Sequence, residues 1–256
     1  RGSARRAGRH DLPCEYDLLM KREILSVISC RDLNAGVYEL VLSGASDMRA
    51  GQFVELSVPG FYLRRPISVA DCADGVLTLL VKEAGEGTKK LRTVKSGDTV
   101  AALTGLGNGF DLNAEKPLLV GGGIGCAPLY KLAKDFAAAG VRATAVLGFR
   151  NAAEVYYAEE FARFCDVVIA TDDGSAGVRG NAVSAAEGID FDRFYACGPQ
   201  VMLRAAAQKL VYGQVSLEAR MGCGFGACMG CSIKTIKGYA RVCKEGPVFE
   251  AEEVVW

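Results

Sequence analysis

The chain contains a single histidine, His10, among its 256 residues. That scarcity argues against mechanisms built on a histidine base or on several histidine ligands. Neither sign of charge is in surplus, since 30 Lys plus Arg balance 30 Asp plus Glu. Nucleic-acid binding needs a basic excess to displace counterions, so its simplest form is ruled out. A membrane span is absent too: the longest uncharged, largely apolar stretch, Pro117–Tyr130, holds four glycines in 14 residues. It is too short and too glycine-rich to cross a bilayer. The first 13 residues, RGSARRAGRHDLP, have no apolar core of the kind a secretory signal requires. They read as a flexible extension, with a basic docking arm as the alternative. The expectation is a cytoplasmic protein whose thiols stay reduced, so that clustered cysteines point to metal or redox chemistry. No internal repeat or low-complexity linker is evident.

Half of the residues are hydrophobic and 23% are charged, enough apolar material for one large or two modest cores. From Ile24 to about Leu112 the pattern is all-β. Short runs at Ile24–Ser29, Val37–Leu42, Phe53–Val58, Val76–Val81 and Thr99–Leu103 are punctuated by turns such as Asp74-Gly75. Such spacing predicts a small barrel or sandwich. One helix is expected over Thr88–Val94. From Pro117 strands and helices alternate. Strands are expected at Leu118–Val120, Ala143–Leu147, Val167–Ala170 and Phe194–Ala196, with helices after Pro128, around Glu159–Phe164 and over Val201–Leu210. That alternation predicts a parallel sheet flanked by helices.

Ten cysteines are present, four of them in GCGFGACMGC…RVC. Cys223, Cys228, Cys231 and Cys243 follow the spacing C-x4-C-x2-C-x11-C. Four thiolates suit a soft metal centre, and C-x4-C-x2-C is the spacing of plant-type [2Fe–2S] proteins. The interleaved glycines let backbone amides approach the sulfurs. A zinc site usually pairs two C-x2-C-like hooks, and only one is present. Zinc and a metal-free structural role remain as alternatives.

Residues 121–128 read GGGIGCAP, between a strand and an amphipathic helix. This arrangement aims amides at a pyrophosphate. Pro128 replaces the third glycine of the dinucleotide fingerprint, and the second strand ends Gly148-Phe149-Arg150 without the usual acidic ribose ligand. A plain tight turn is the alternative. Cys197-Gly198-Pro199 also follows a strand, at the edge where open α/β sheets bind ligands. In the β region, Arg64-Arg65-Pro66-Ile67-Ser68 offers a guanidinium fork for phosphate and a hydroxyl for a flavin ring. Gly87-Thr88 opens the expected helix. Each of these features alone also fits a surface turn.

Their order along the chain resembles the ferredoxin–NADP reductase-like flavoproteins, over about residues 22–212. SLEARMGCGFGACMGC, followed by RVCKEGPVF, extends the resemblance to the family of dihydroorotate dehydrogenase B electron-transfer subunits, over residues 22–256. The resemblance implies a flexible extension (1–21), a β-barrel FAD-binding domain (22–113), an α/β parallel-sheet NAD-binding domain (114–213) and a small four-Cys [2Fe–2S] domain (214–256). FAD would be held by Arg65, Pro66, Ile67 and Ser68, by Leu80, Val81 and Lys82, and at its pyrophosphate by Gly87 and Thr88. Ile67 stands where the family pattern has an aromatic residue, and Lys82 where arginine is common. NAD would meet Gly121, Gly122, Gly123, Gly125, Cys197, Gly198 and Pro199, and the four cysteines would ligate the cluster.

The resemblance further implies a place in pyrimidine biosynthesis. Dihydroorotate would be oxidised on an FMN-containing partner subunit, in a heterotetramer of two chains of each kind. Electrons would then pass through the cluster and FAD to NAD+. A hydride carries two electrons and a cluster passes one, so a flavin must stand between them. Related iron–sulfur flavoprotein subunits are the alternative, of the ferredoxin:NADP oxidoreductase, sulfide dehydrogenase or hydrogenase diaphorase type. The first of these tends to carry Asp where this chain has Cys223. A nucleotide-binding module with a structural zinc is the non-enzymatic alternative.

Overall fold

A computed structural model describes residues 20–256. The expected N-terminal extension, with His10 and Cys14, therefore lies almost wholly outside the described residues.

Six antiparallel strands close into a barrel: β1 (Lys21–Asp32), β2 (Val37–Ser43), β3 (Phe53–Leu56), β4 (Arg65–Ala73), β5 (Val76–Lys82) and β6 (Thr99–Leu106). Their order round the barrel is β1-β2-β5-β4-β3-β6, and closure leaves no unpaired edge. Alternation explains the interior. Leu25 and Val27 on β1, Leu40 and Leu42 on β2, Val54 and Leu56 on β3, and Leu77, Leu79 and Val81 on β5 point inward to one core. Asp74 and Gly75 take φ of 53° and 75°, the paired left-handed geometry of a two-residue hairpin between β4 and β5. β4 is not among the strands expected from the sequence, because Arg65 and Pro66 interrupt its apolar pattern. The expected helix is α1 (Glu86–Leu91), starting and ending slightly earlier than predicted.

The second half holds β7 (Pro117–Gly122), α2 (Cys126–Ala138), β8 (Thr144–Phe149), α3 (Ala158–Ala162), β9 (Asp166–Thr171), β10 (Val178–Arg179), α4 (Ala182–Ala185), β11 (Arg193–Cys197), α5 (Gln200–Lys209) and β12 (Gly213–Ser216). Strand periodicity splits its apolar residues between two faces. Leu119, Ala145, Leu147 and Tyr195 pack with α2, whereas Leu118, Val120, Val146, Phe194 and Ala196 pack with α4 and α5. The tail adds the hairpin β13 (Ser232–Thr235) and β14 (Gly238–Arg241), and then β15 (Val248–Glu250). The sheet order is β10-β9-β8-β7-β11-β12-β15, with β15 antiparallel to β12. The last strand of the cysteine tail thus completes the sheet, and β12 straddles the expected boundary at residue 213.

Side-chain ties fix barrel to sheet. Tyr157 donates to the Glu39 carboxylate, and Lys134 pairs with Asp71. Asn34 Nδ2 donates to the Glu154 carbonyl at 3.0 Å. Asn108, just past β6, clamps the tail. Its Nδ2 donates to the carbonyls of Val248 (2.8 Å) and Glu245 (3.1 Å), and its Oδ1 accepts from the Val248 N–H at 2.9 Å. Among the described residues no helix is long and apolar enough to cross a membrane.

Candidate functional site

A cleft of about 570 Å³ opens where the barrel, the C-terminal edge of the sheet and the start of the tail meet. Its barrel wall includes Pro66, Ile67, Ser68, Leu80, Lys82 and Thr88. Its sheet wall includes Gly122 and Gly123 after β7, and Gly198 and Pro199 after β11. Its floor runs from Ser216 through Glu218 and Ala219 to Met221. Ten of the sixteen predicted barrel and sheet residues therefore line one volume. Their convergence follows from topology, because β7 and β11 are neighbours whose C-terminal ends emerge side by side.

Arg65 and Gly87, far apart in sequence, meet at the rim. The Arg65 guanidinium lies across Gly87, where an added Cβ would sit 2.1 Å from Arg65 Nε. Arg65 Nη1 donates to the Leu63 carbonyl at 2.8 Å. The Thr88 hydroxyl is committed to the turn itself: it donates to the Gly85 carbonyl at 2.9 Å and accepts from the Ala84 N–H at 3.0 Å. Val81 differs from its neighbours. The residue is 1% exposed and points into the barrel core, so its side chain does not reach the cleft.

The glycine loop divides in the same way. Gly122 and Gly123 line the cleft, whereas Gly121 and Gly125 sit beneath it. A Cβ on Gly121 would meet Cys126 Sγ at 2.7 Å, and one on Gly125 would meet the Cys197 carbonyl oxygen at 2.3 Å. Close packing alone requires glycine at both. Cys197 is itself buried, and burial pushes its thiol up to about 12. It supports the cleft floor from below and does not face the cleft.

Glu218 was missed as a lining residue, although it stands in the SLEARM run next to the cysteine motif. Water reaches its surface, yet the concave walls desolvate the carboxyl and raise its pKa against the opposing pull of Lys82. Phe53 and Pro247 were missed as well. Sequence pattern marks neither residue, because both reach the cleft through tertiary packing.

Two residues beyond Met221 the cysteine loop begins. Cys228 is exposed, Cys223 half-buried, and Cys231 and Cys243 are buried. They form two thiol pairs, Cys223 with Cys228 and Cys231 with Cys243. Backbone amides point at the sulfurs. Cys223 Sγ accepts from the N–H groups of Ala227 (3.2 Å) and Cys228 (3.4 Å), and Cys231 Sγ from that of Cys243 (3.4 Å). Burial raises the Cys223 thiol, but these amide contacts outweigh it and bring the pKa down to about 6. Among the described residues no three Cys, His or carboxylate side chains converge as ligands of one ion. Paired thiols with amide support fit a two-iron cluster, which takes two thiolates per iron.

Glu55 on β3 closes the loop from behind. It is 1% exposed, its Oε1 has no hydrogen-bond partner, and a Cβ on Gly224 would lie 2.3 Å from that atom. Burial raises the Glu55 carboxyl pKa, opposed by Arg64. Arg241 braces the far side, donating to the Gly226 carbonyl and pairing with Glu245. The Arg241 guanidinium pulls the Glu245 carboxyl down to about 2.

A six-stranded antiparallel barrel on a parallel sheet, ending in a four-cysteine tail, defines a reductase-type electron-transfer flavoprotein fold. A chain of an NADH-dependent reduced ferredoxin–NADP oxidoreductase superposes with a TM-score of 0.83 at 30% identity, covering 91% of this chain and 90% of that one. Phthalate dioxygenase reductase shares the fold, with a TM-score of 0.61 at 23% identity over 75% of this chain and 64% of that one. Residues 218–255 match the model of the iron–sulfur cluster binding domain of dihydroorotate dehydrogenase B. The dihydroorotate dehydrogenase B (NAD(+)) electron transfer subunit of Bacillus caldolyticus is 46% identical over 257 residues, which is 93% of this chain and all of the relative. That of Bacillus cereus (strain B4264) is 40% identical over 260 residues, with the same coverage. The chain belongs to the family of dihydroorotate dehydrogenase B (NAD(+)) electron transfer subunits.

Proposed function

We propose that the cleft and the cysteine loop form one conduit, in which an FAD and a [2Fe–2S] cluster link an FMN-containing dihydroorotate-oxidising subunit to NAD+. The observation that carries this reading is continuity: Ser216, Leu217, Glu218, Ala219 and Met221 line the cleft, and Cys223 follows within two residues. Phe53 strengthens it, lining the cleft while packing in the same apolar cluster as Cys231 and Cys243. When bound, the flavin exchanges a hydride with the nicotinamide on one side and single electrons with the cluster on the other.

The chain's own residues position and shield. Pro66, Ile67 and Ser68 form the flavin-facing strand, with Leu80 and Lys82 beside them, while Arg65 across Gly87 supplies fixed positive charge for the pyrophosphate. The main chain at Gly122, Gly123, Gly198 and Pro199 receives the nucleotide at the sheet edge. Cys223, Cys228, Cys231 and Cys243 hold the cluster. The amides of Ala227, Cys228 and Cys243 stabilise charge on its thiolates, and such hydrogen bonds raise a cluster's potential. Cys228 is the exposed ligand, so its side of the loop meets the partner in an assembly of two chains of each kind. The reading includes a cytoplasmic location, which reduced cluster-ligating cysteines support.

The test is an anaerobic absorbance spectrum of the purified chain, alone and with its FMN subunit. The reading predicts flavin bands plus an iron–sulfur shoulder, bleached by NADH in both samples and by dihydroorotate only in the complex. A complex that NADH bleaches but dihydroorotate never does would contradict it.

A further inference from the structure

The second sheet strand, β8, runs directly into Arg150, with no acidic residue beside it in sequence. The structure supplies that residue four positions later. Glu154 turns back and pairs with the Arg150 guanidinium. We propose that this pair sets the nucleotide choice, with Glu154 accepting a hydrogen bond from the adenosine 2′-hydroxyl of NAD(H) and repelling the 2′-phosphate of NADP(H). The inference rests on the reading that the nucleotide lies along the C-terminal edge of the sheet.

Position comes first. β8 is the neighbour of β7, so Arg150 leaves the same sheet edge as the glycine loop. In open α/β sheets the end of this second strand is where the adenosine ribose sits. An acidic side chain there selects a free 2′-hydroxyl, and a free arginine selects a 2′-phosphate.

Rigidity comes second. The segment from Arg150 to Tyr157 is held at both ends and in the middle. Ser175 Oγ accepts from the Ala152 N–H at 2.7 Å. Asn34 Nδ2 holds the Glu154 carbonyl at 3.0 Å. The Tyr156 hydroxyl donates to the Gly123 carbonyl at 2.8 Å, tying the segment to the glycine loop itself. Glu154 is thus presented beside the nucleotide edge on a fixed main chain. Its side chain is 29% exposed, against 76% for Arg150.

Charge comes third. Arg150 alone would attract a phosphate dianion. Glu154 neutralises it, and the field of Asp172 at the end of β9 also falls on it. An incoming 2′-phosphate would meet two carboxylates and an arginine already engaged. A ribose hydroxyl meets an acceptor oxygen.

The probes are 5′-AMP and adenosine 2′,5′-bisphosphate, titrated calorimetrically into the intact holo chain. NADH and NADPH turnover with an artificial acceptor gives a second readout. The wild type is expected to bind 5′-AMP and to bind the bisphosphate at least about tenfold more weakly. Glu154→Gln should raise bisphosphate affinity and NADPH kcat/KM at least about tenfold and weaken 5′-AMP and NADH several-fold, because a charged acceptor for the 2′-hydroxyl becomes a neutral one. Adding Arg150→Ala to Glu154→Gln should abolish that gain. The proposal is overturned if Glu154→Gln still binds 5′-AMP, at whatever reduced affinity, without gaining bisphosphate affinity, or if the wild type prefers the bisphosphate. Failure of the wild type to bind either ligand overturns it together with the placement of the nucleotide. Should Glu154→Gln fold poorly, Arg150→Ala in the wild-type background must leave the preference for 5′-AMP intact; a switch toward the bisphosphate would contradict the assignment.

Discussion

Two glycine-rich loops flank the cleft, and their glycines answer to different constraints. In the sheet loop, Gly121 and Gly125 lie against Cys126 Sγ and the Cys197 carbonyl with no room for a Cβ. Packing has already built that loop, which is buried beneath the cleft at Gly121 and Gly125 and tied to Tyr156 through Gly123. In the cysteine loop, Cβ atoms on Gly222 and Gly230 would lie 3.4 and 3.5 Å from Cys228 Sγ, which is ordinary contact. Only Gly224 (φ 76°) and Gly226 (φ 92°) are held to glycine there by backbone geometry. The first loop is a rigid part of the fold. The second is a wrapper whose energy comes from the group it encloses and from the barrel and tail side chains behind it.

Breaking a ligand should separate the loops most sharply. Cys228→Ser is expected to remove the iron–sulfur absorbance and its EPR signal entirely while NADH still bleaches the flavin, because the cleft does not depend on this sulfur. In the sheet loop, Gly125→Ala forces a carbon into the Cys197 carbonyl and should cost about 3 kcal/mol in urea unfolding. Gly222→Ala in the cysteine loop should stay within about 0.5 kcal/mol under the same conditions. Asn108→Ala removes three hydrogen bonds between barrel and tail and should cost about 2 kcal/mol. Its effect should appear as earlier loss of cluster absorbance than of flavin absorbance during unfolding. The smallest effect is electrostatic. Arg241 lowers the Glu245 pKa from 4.5 to about 2, so the pair's contribution is complete above about pH 4.5 and lost as pH falls toward 2. The melting-temperature difference between wild type and Glu245→Gln should shrink over that window.

Regular pattern made most of the fold legible. Short apolar runs between turn residues marked five of the six barrel strands, and the Asp74-Gly75 turn proves to be a two-residue hairpin. β4 escaped because Pro66, Arg64 and Arg65 break the pattern that reveals strands, and they do so at the strand facing the cleft. The cysteine spacing was legible because a cluster needs its ligands at short, fixed intervals in one loop. Residues that act across long sequence separations were not legible. Glu55 reaches Gly224, and Asn108 reaches Val248, only after the tail docks on the barrel. Nor can composition separate Val81, turned into the barrel, from Leu80 and Lys82, turned to the cleft; strand parity decides it.

The central claim is that the cleft and the cysteine loop lie on one electron path within one chain. Rapid mixing of the oxidised holo chain with NADH, under argon, tests it directly by following flavin absorbance together with freeze-quenched EPR of the cluster. The path predicts that flavin bleaching comes first and that the reduced-cluster signal rises from it, with both retained in Gly222→Ala and only the flavin phase in Cys228→Ser. A cluster signal that rises without flavin bleaching, or a bleached flavin beside a cluster that stays oxidised under excess NADH, would contradict it.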